Sequence, residues 1–489
     1  MHSVYSHQPP TANLELRSRL RAALRKVWGY DDFRSPQADI IESLLTGQDT
    51  LIIMPTGGGK SICFQLPALI RPGLTLVISP LIALMENQVQ DLRRRKQPAA
   101  VLHSQLPRSH QAQTLRELES GRLRLLYLSP ETLLSEKVWS RLCQPTLPIH
   151  ALVVDEAHCL AQWGETFRPA YQRLGAVRSS LLRHKPPGSH MAIAAFTATA
   201  DPLTQQAIEQ GLGLKRPNAF RLSPYRANLH LSVHIAWTPR GRRQRLLQFI
   251  RAHPDQAGLV YVRSRQEGEE LANWLRQQGY ATAAYHAGVP ASDRRAIEAA
   301  WLSGSLPFVV STSAFGMGID KGNVRWIAHF HPPALLSEYV QEIGRAGRDG
   351  QASDALMLVS EPTAWLDPED RQRQRGFEQQ ILQQERAAQG LIQQIPPAGT
   401  VRSVEQSSAD AAMALALLHR QGKLVWPDPF HYRLQATQPT PIHLPQASQK
   451  MRQYLYTEDC RWHFLLQAFG NDEGQVSRCG HCDRCDRRS

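Results

Sequence analysis

Three short stretches of this 489-residue chain carry side chains whose types and spacing suit phosphate chemistry. The first is PTGGGKS at 55–61, directly after the apolar run Leu51–Met54 and before a helical pattern. Glycines Gly57, Gly58 and Gly59 let backbone N–H groups close around phosphate oxygens at a helix N-terminus. Lys60 can then reach the outer phosphates and Ser61 offers a hydroxyl to Mg2+. Met54 stands where the generic pattern has its first glycine, six places before Lys60. The second stretch is DEAH at 155–158, after the apolar run Ala151–Val154. A carboxylate at a strand's C-terminal edge can hold Mg2+ (Asp155), and its neighbour can orient and deprotonate an attacking water (Glu156). A strand-borne acidic pair 95 residues after a strand-borne glycine loop points to nucleotide hydrolysis rather than binding alone.

The third stretch is QEIGRAGRDG at 341–350. Arg345 and Arg348, three apart, are expected on one face of a helix beginning near Leu335, where their guanidiniums could meet the outermost phosphate. The other reading of this segment is a solvated basic helix end. Gly316-Met317-Gly318 resembles a dinucleotide fingerprint only superficially: the next glycine, Gly322, falls one place late and no helix is expected there, which excludes an oxidoreductase.

Four of the seven cysteines fall in the last 30 residues, as Cys460-x18-Cys479-x2-Cys482-x2-Cys485. Thiolates at that spacing can grip one zinc ion in tetrahedral S4 geometry, and an odd, sparse set is a poor disulfide scaffold. His463 or His481 could replace a thiolate, with His481 the expected bystander. Cys63, Cys143 and Cys159 read as ordinary thiols in strand and helix territory.

The elements that must position these groups follow one grammar. Apolar runs of four to six residues without strict alternation, at Leu51–Met54, Leu74–Ser79, Leu123–Leu128, Ala151–Val154 and Ala192–Phe196, read as strands buried on both faces of a parallel sheet. A second series runs Gly258–Val262, Ala281–Tyr285, Phe308–Ser311, Arg325–His329 and Ala355–Val359. The expected fold is α/β, with an N-terminal tail (1–24) and two tandem parallel-sheet domains (25–215 and 216–362). A helical, winged-helix-like segment (363–450) and a small zinc-binding subdomain (451–489) follow. The winged-helix reading rests on a helix stopped at Gly422, then strands Leu424–Trp426 and Phe430–Leu434 around a Pro-Asp-Pro turn.

Lys+Arg exceed Asp+Glu by 56 to 43, and only nine of those cations are lysines. The 47 arginines favour forked contacts to phosphate, so a polyanion is the leading partner, a compositional bias being the alternative. No run approaches the ~18 apolar residues of a membrane span, and the start lacks a signal-peptide pattern, so a cytoplasmic protein is expected.

Together, PTGGGKS, SPLIALMENQV (79–89), YLSPE (127–131), DEAHCLAQWGETFRP (155–169), FTATA (196–200), YHAG (285–288), STSAFGMGIDKGNVR (311–325) and QEIGRAGRDG resemble the RecQ family of superfamily 2 DNA helicases. The order matches from about Trp28 to Gly350, and the likeness resumes at Cys460. The resemblance implies two RecA-like domains and an ATP-dependent 3′→5′ DNA helicase using ATP, Mg2+ and Zn2+. It further implies action on single-stranded DNA and single/double-strand junctions, in repair or recombination. Gln37, in GYDDFRSPQ (29–37), matches the residue that reads adenine, with Phe33 or Arg34 flanking the base. Thr56 and Gly57–Ser61 match the phosphate loop, Ser61 and Asp155 the Mg2+ ligands, and Glu156 the general base. Asp320 matches the motif V acid at the domain interface, and Gln341, Arg345 and Arg348 the sensing and finger residues. Trp163, Phe167 and Arg168 match the aromatic-rich loop that couples single-strand contact to hydrolysis, although Gly164-Glu165-Thr166-Phe167 replaces the usual Gly-His-Asp-Phe.

Two departures accompany the likeness. The sequence given stops four residues after Cys485, where the family usually continues into a winged helix, and about 110 residues separate Gly350 from Cys460. A winged-helix-like element placed ahead of the zinc site would account for both. The rival readings are a translocase or annealing factor that does not separate strands, a zinc/winged-helix regulator with a vestigial ATPase, and an RNA helicase.

Overall fold

The computed structural model describes residues 11–161, 168–315, 321–407, 410–435, 446–471 and 477–486. The first domain is a seven-stranded, all-parallel sheet of β1 (Thr50–Ile53), β2 (Leu74–Ile78), β3 (Ala99–Leu102), β4 (Leu125–Leu128), β5 (Ile149–Val154), β6 (Ala192–Thr197) and β7 (Asn218–Arg221). Their order is β3-β4-β2-β5-β6-β1-β7. Alternate residues enter different cores: Leu51 and Ile53 join one cluster, Ile52 and Met54 the other. Burial on both faces is why these strands read as unbroken apolar runs. Because β5, β6 and β1 are neighbours, the segments leaving their C-terminal ends converge where open α/β sheets bind ligands.

The second domain repeats the plan with β8 (Leu229–Ala236), β9 (Gly258–Tyr261), β10 (Thr282–Tyr285), β11 (Phe308–Ser311), β12 (Trp326–His329) and β13 (Ser353–Ser360), all parallel, in the order β10-β11-β9-β12-β13-β8. Three strands of the two parallel sheets escaped the sequence reading, each for a physical reason. β7 is an edge strand of mostly exposed residues, and β3 is short and alanine-rich. β8 alternates apolar with His and Ser because it too lies at an edge. That edge is covered by the zinc-binding region: Leu231 bridges to Cys482, and Trp462 Nε1 donates to Leu229 O at 3.1 Å.

Between the second domain and the zinc region lie helix Glu369–Ile392, strand β14 (Ala398–Thr400), helices Val401–Ser407 and Ala411–Arg420, and the hairpin β15 (Leu424–Asp428) and β16 (His431–Leu434). The sheet order β14-β16-β15, all antiparallel, completes a winged-helix-like topology in which the helical start, the last helix and the hairpin were expected from the sequence, while β14 and helix Val401–Ser407 were not. Gly422, with φ of 71°, ends the preceding helix as expected.

Helix Glu369–Ile392 is rooted in the second domain by a buried ionic hub. His331 Nε2 lies 2.7 Å from Glu267 and 3.2 Å from Glu369, while His331 Nδ1 lies 2.5 Å from Asp370. Arg242 pairs with Asp367 at 2.8 Å and Asp370 at 3.1 Å. Burial pushes the His331 pKa down, but hydrogen bonding to Asp370, Glu267 and Glu369 outweighs it and lifts the value to about 9. A raised folded-state pKa gives stabilisation that is complete below the unfolded value near 6.5 and is lost as pH rises through 9. From that shift it amounts to roughly 3 kcal/mol. Thermal melts should therefore show stability falling between pH 7 and pH 9.5, with His331→Gln flattening that slope. An equal slope in the variant would contradict the assignment. Among the described residues no helix is long and apolar enough to cross a membrane.

Candidate active site and zinc centre

A cleft of about 930 Å3 lies between the two parallel-sheet domains, and both contribute to its lining. From the first come Gln37, Gly57, Lys60, Ser61, Asp155 and Glu156; from the second, Gln341, Arg345 and Arg348. The glycine loop leaves β1 and enters helix Lys60–Ile70. Gly59 needs its φ of 79°, and a Cβ there would fall 2.3 Å from Gln37 Nε2. Gln37 Nε2 donates to Gly58 O and Gly59 O at 3.2 and 3.3 Å, and Gln37 Oε1 accepts from the Arg34 amide. Met54, at the position of the missing first glycine, packs its side chain over Gly58, where a Cβ would meet Met54 Cγ at 2.6 Å. Lys60 Nζ is buried with no hydrogen-bond partner, and Ser61 Oγ accepts from Gln88 Nε2 at 3.1 Å.

Asp155 and Glu156 emerge from β5. Glu156 holds φ of 49°, a left-handed conformation costly for a residue with a Cβ and typical of strained functional turns. Burial, with Glu156 beside it, pushes the Asp155 carboxyl up to about 7, against the pull of Lys60. Two adjacent carboxylates facing one lysine leave this corner short of positive charge. The Ser61 hydroxyl and Asp155 both line it, so the donor set fits a hard divalent cation such as Mg2+. His158 links this corner to the second domain. Its Nδ1 lies 2.9 Å from Thr197 Oγ1, while Gln341 Nε2 reaches His158 Nε2 and Thr199 Oγ1, each at 3.3 Å. Burial pushes the His158 pKa down, which favours the uncharged ring that accepts from Gln341.

The arginines sit differently from their sequence expectation. Helix Leu336–Ile343 ends before them, at Gly344, and Arg345 and Arg348 lie on the following turn, not on a helix face. Glycine is the reason: Gly347 has φ of 56°, and its N–H donates to Val324 O at 2.8 Å. The turn nevertheless faces the glycine loop. A Cβ on Gly57 would stand 3.4 Å from Arg348 Cδ, and Thr56 Oγ1 donates across the cleft to Gly344 O at 3.0 Å. Arg226 and Asn228, which no motif flagged, brace the turn by donating to Gly347 O at 2.5 and 2.9 Å. Phe33 packs beside Leu20 and Leu24 instead of lining the cleft, whereas Arg34 and the unflagged Tyr30 do line it. Arg168 donates to Pro80 O at 3.1 Å. Trp163, Phe167 and Asp320 lie outside the described residues.

The four C-terminal cysteines converge. Their sulfurs lie within 4.8 Å of one another, with Cys482 to Cys485 at 3.5 Å, Cys479 to Cys485 at 3.8 Å and Cys482 to Cys460 at 4.0 Å. Zn–S bonds of about 2.3 Å in a tetrahedron separate sulfurs by about 3.8 Å, so the set fits zinc. His481 is a bystander: Nε2 meets the Tyr225 hydroxyl at 3.0 Å and Nδ1 faces Leu229 O at 3.2 Å. The buried Arg461–Asp483 pair, with contacts of 2.9 and 3.1 Å, fixes the turn that carries Cys482.

Comparison with known proteins agrees with this geometry. Residues 34–207 match the DEAD/DEAH box helicase family, 241–350 the helicase conserved C-terminal domain and 435–486 the RecQ zinc-binding family. The ATP-dependent DNA helicase RecQ of Synechocystis sp. is 50% identical over 473 residues, covering 96% of this chain and 98% of its own length. RecQ of Haemophilus influenzae is 40% identical over 72% of this chain but 56% of its own. Among solved structures, the DUF1998 helicase MrfA bound to DNA has a TM-score of 0.59 at 16% identity, covering 88% of this chain and 64% of that one. Mycobacterium smegmatis helicase Lhr, bound to ssDNA and AMP-PNP, has a TM-score of 0.56 at 19% identity, over 89% and 62%. At such identities these two likenesses speak for the fold. With its two motor domains, its shared cleft and its four-cysteine centre, the chain belongs to the RecQ family of ATP-dependent DNA helicases.

Proposed function

We propose that the chain couples ATP hydrolysis in the interdomain cleft to 3′→5′ movement along single-stranded DNA and separation of the duplex ahead, serving DNA repair or recombination in the cytoplasm. The observation that carries this reading is the meeting of glycine loop and arginine turn across one cleft, with Arg348 against Gly57. In it, Gln37 and Arg34 receive the base, and the loop amides and Lys60 hold the phosphates. Glu156 takes the proton of the attacking water, and Gln341, Arg345 and Arg348 answer the charge that builds on the outermost phosphate. Ser61 and Asp155 would hold Mg2+, which supplies neutralising charge to the phosphate oxygens. Closing and opening of the lobes as nucleotide turns over would step the protein along the strand. Arg168, with Trp163 and Phe167, would report strand contact to the DEAH segment, the rings stacking on bases at about 1–3 kcal/mol each. The direction of travel is taken from the family likeness.

A duplex with a 3′ single-stranded tail, its strands carrying a fluorophore and a quencher, tests this reading. Strand separation should require ATP and a 3′ tail and fail on a 5′ tail. ATP turnover without strand separation on either substrate would instead favour a translocase, and separation from the 5′ tail alone would reverse the polarity.

A further inference from the structure

The winged-helix module is the largest feature that the ATPase cleft leaves without a task. In a module of this topology that reads duplex, the third helix enters the major groove and offers polar side chains to base edges. Helix Ala411–Arg420 reads AAMALALLHR, and its first eight residues carry no nitrogen- or oxygen-bearing side chain. None of its ten residues is exposed. The helix contributes to the module's own core with Leu391, Leu424 and Tyr432, and it packs on the 3-10 turns Pro169–Ala176 of the first motor domain. The hairpin points the same way. Phe430, beside its tip, lies edge-on to Trp139 of the first domain, with ring centroids 5.1 Å apart. Arg173, on the contacted turns, is half-buried; desolvation pulls its pKa down while the carboxylates of Glu405, from helix Val401–Ser407, and Glu131 pull it up. The helix is thus turned inward and the hairpin tip is seated on the first domain at Phe430, while His431 and Arg433 on the hairpin stay exposed.

What they press on lies under the DEAH segment. Tyr171, fully buried within Pro169–Ala176, donates its hydroxyl to Asp155 O at 3.2 Å, and Gln172 Nε2 donates to Leu160 O at 2.7 Å. The same turns begin directly after Arg168. The contacts form a stack: module on turns, turns on the backbone that carries the catalytic carboxylates.

We propose that the winged-helix module is an internal brace that positions the DEAH segment by clamping Pro169–Ala176, and is not a reader of duplex DNA. The inference rests on the proposed DNA-driven ATPase for its functional consequence, though not for its structural one. Phe430 and Trp139 are its positioning residues, and neither lines the cleft.

The test is Phe430→Ala, with Phe430→Leu as the conservative variant. Phe430→Ala should lower the single-strand-stimulated kcat about ten- to a hundredfold, as small misplacements of catalytic groups do. KM for ATP and nucleotide-free affinity for a blunt duplex should stay at wild-type values, and Phe430→Leu should recover most of the rate. Trp139→Ala should behave alike, and the double variant no worse than either. Hydrogen exchange should quicken in residues 155–161 and 168–176 of Phe430→Ala while β9 and β12 stay protected. That readout needs no ATPase, so it separates failure of the brace from failure of the functional reading. Should Phe430→Ala prove unfolded, exchange in Phe430→Leu decides, with a smaller local gain expected. Unchanged kcat and exchange, or a duplex affinity that falls while kcat holds, would overturn the brace.

Discussion

Replacing Arg348 with alanine is expected to cut the DNA-stimulated kcat for ATP hydrolysis by about 10³–10⁵-fold, the range found for arginines that reach a transferring phosphoryl group. The side chain crosses from the second domain to lie on Gly57, where the outer phosphates of a bound nucleotide would rest. In the proposed mechanism it would meet charge that develops only in the transition state, so its loss should fall on kcat and little on nucleotide affinity. Arg348→Lys should rescue poorly, because a single ammonium cannot present the guanidinium's fork. Single-turnover hydrolysis alongside fluorescent-nucleotide binding separates the two quantities. A variant within tenfold of wild type would place the phosphate-facing charge elsewhere.

The second large effect is expected at Cys482, which is fully buried and lies against the other thiols at 3.5 and 4.0 Å. Structural zinc sites release about 10–16 kcal/mol on binding, so a site reduced to three thiolates surrenders a large part of the local folding energy. Cys482→Ser should lose its zinc by metal analysis and become open to proteolysis after residue 446. It should also uncover the edge strand β8, whose Leu229 and Leu231 share a core with Trp462 and Leu465. Nucleotide binding, whose expected glycine loop lies between β1 and helix Lys60–Ile70 of the first domain, should survive. Cys63→Ser, a buried thiol of the first domain, should keep its zinc. Full zinc occupancy in Cys482→Ser would contradict the four-sulfur assignment.

The chemistry was legible where it is local in sequence. Gly57–Ser61, Asp155-Glu156 and the x2-spaced cysteines each lie within a few consecutive residues, so type and spacing alone announce them. The strands buried on both faces were equally plain, since every residue of β1, β2 or β4 is apolar or enclosed. What stayed hidden is tertiary. No pattern tells that Arg226 and Asn228 will hold the arginine turn, or that the Tyr171 hydroxyl will reach Asp155 O. The helix expected under Arg345 and Arg348 stops instead at Gly344, and Gly347, with φ of 56°, turns the chain out of helical geometry. The winged helix was half visible, since β14 is only three residues long while Gly422 and Pro427-Asp428-Pro429 mark the hairpin.

In the proposed function the interdomain cleft is an ATPase driven by single-stranded DNA, and steady-state ATP turnover is the decisive assay. The rate should be measured at fixed salt with no nucleic acid, single-stranded DNA, blunt duplex and RNA, because basic proteins bind all three polymers non-specifically. Single-stranded DNA should raise the rate most, and Lys60→Ala should show no turnover under any condition while still binding DNA. A rate indifferent to single-stranded DNA, or undiminished in Lys60→Ala, would contradict the account.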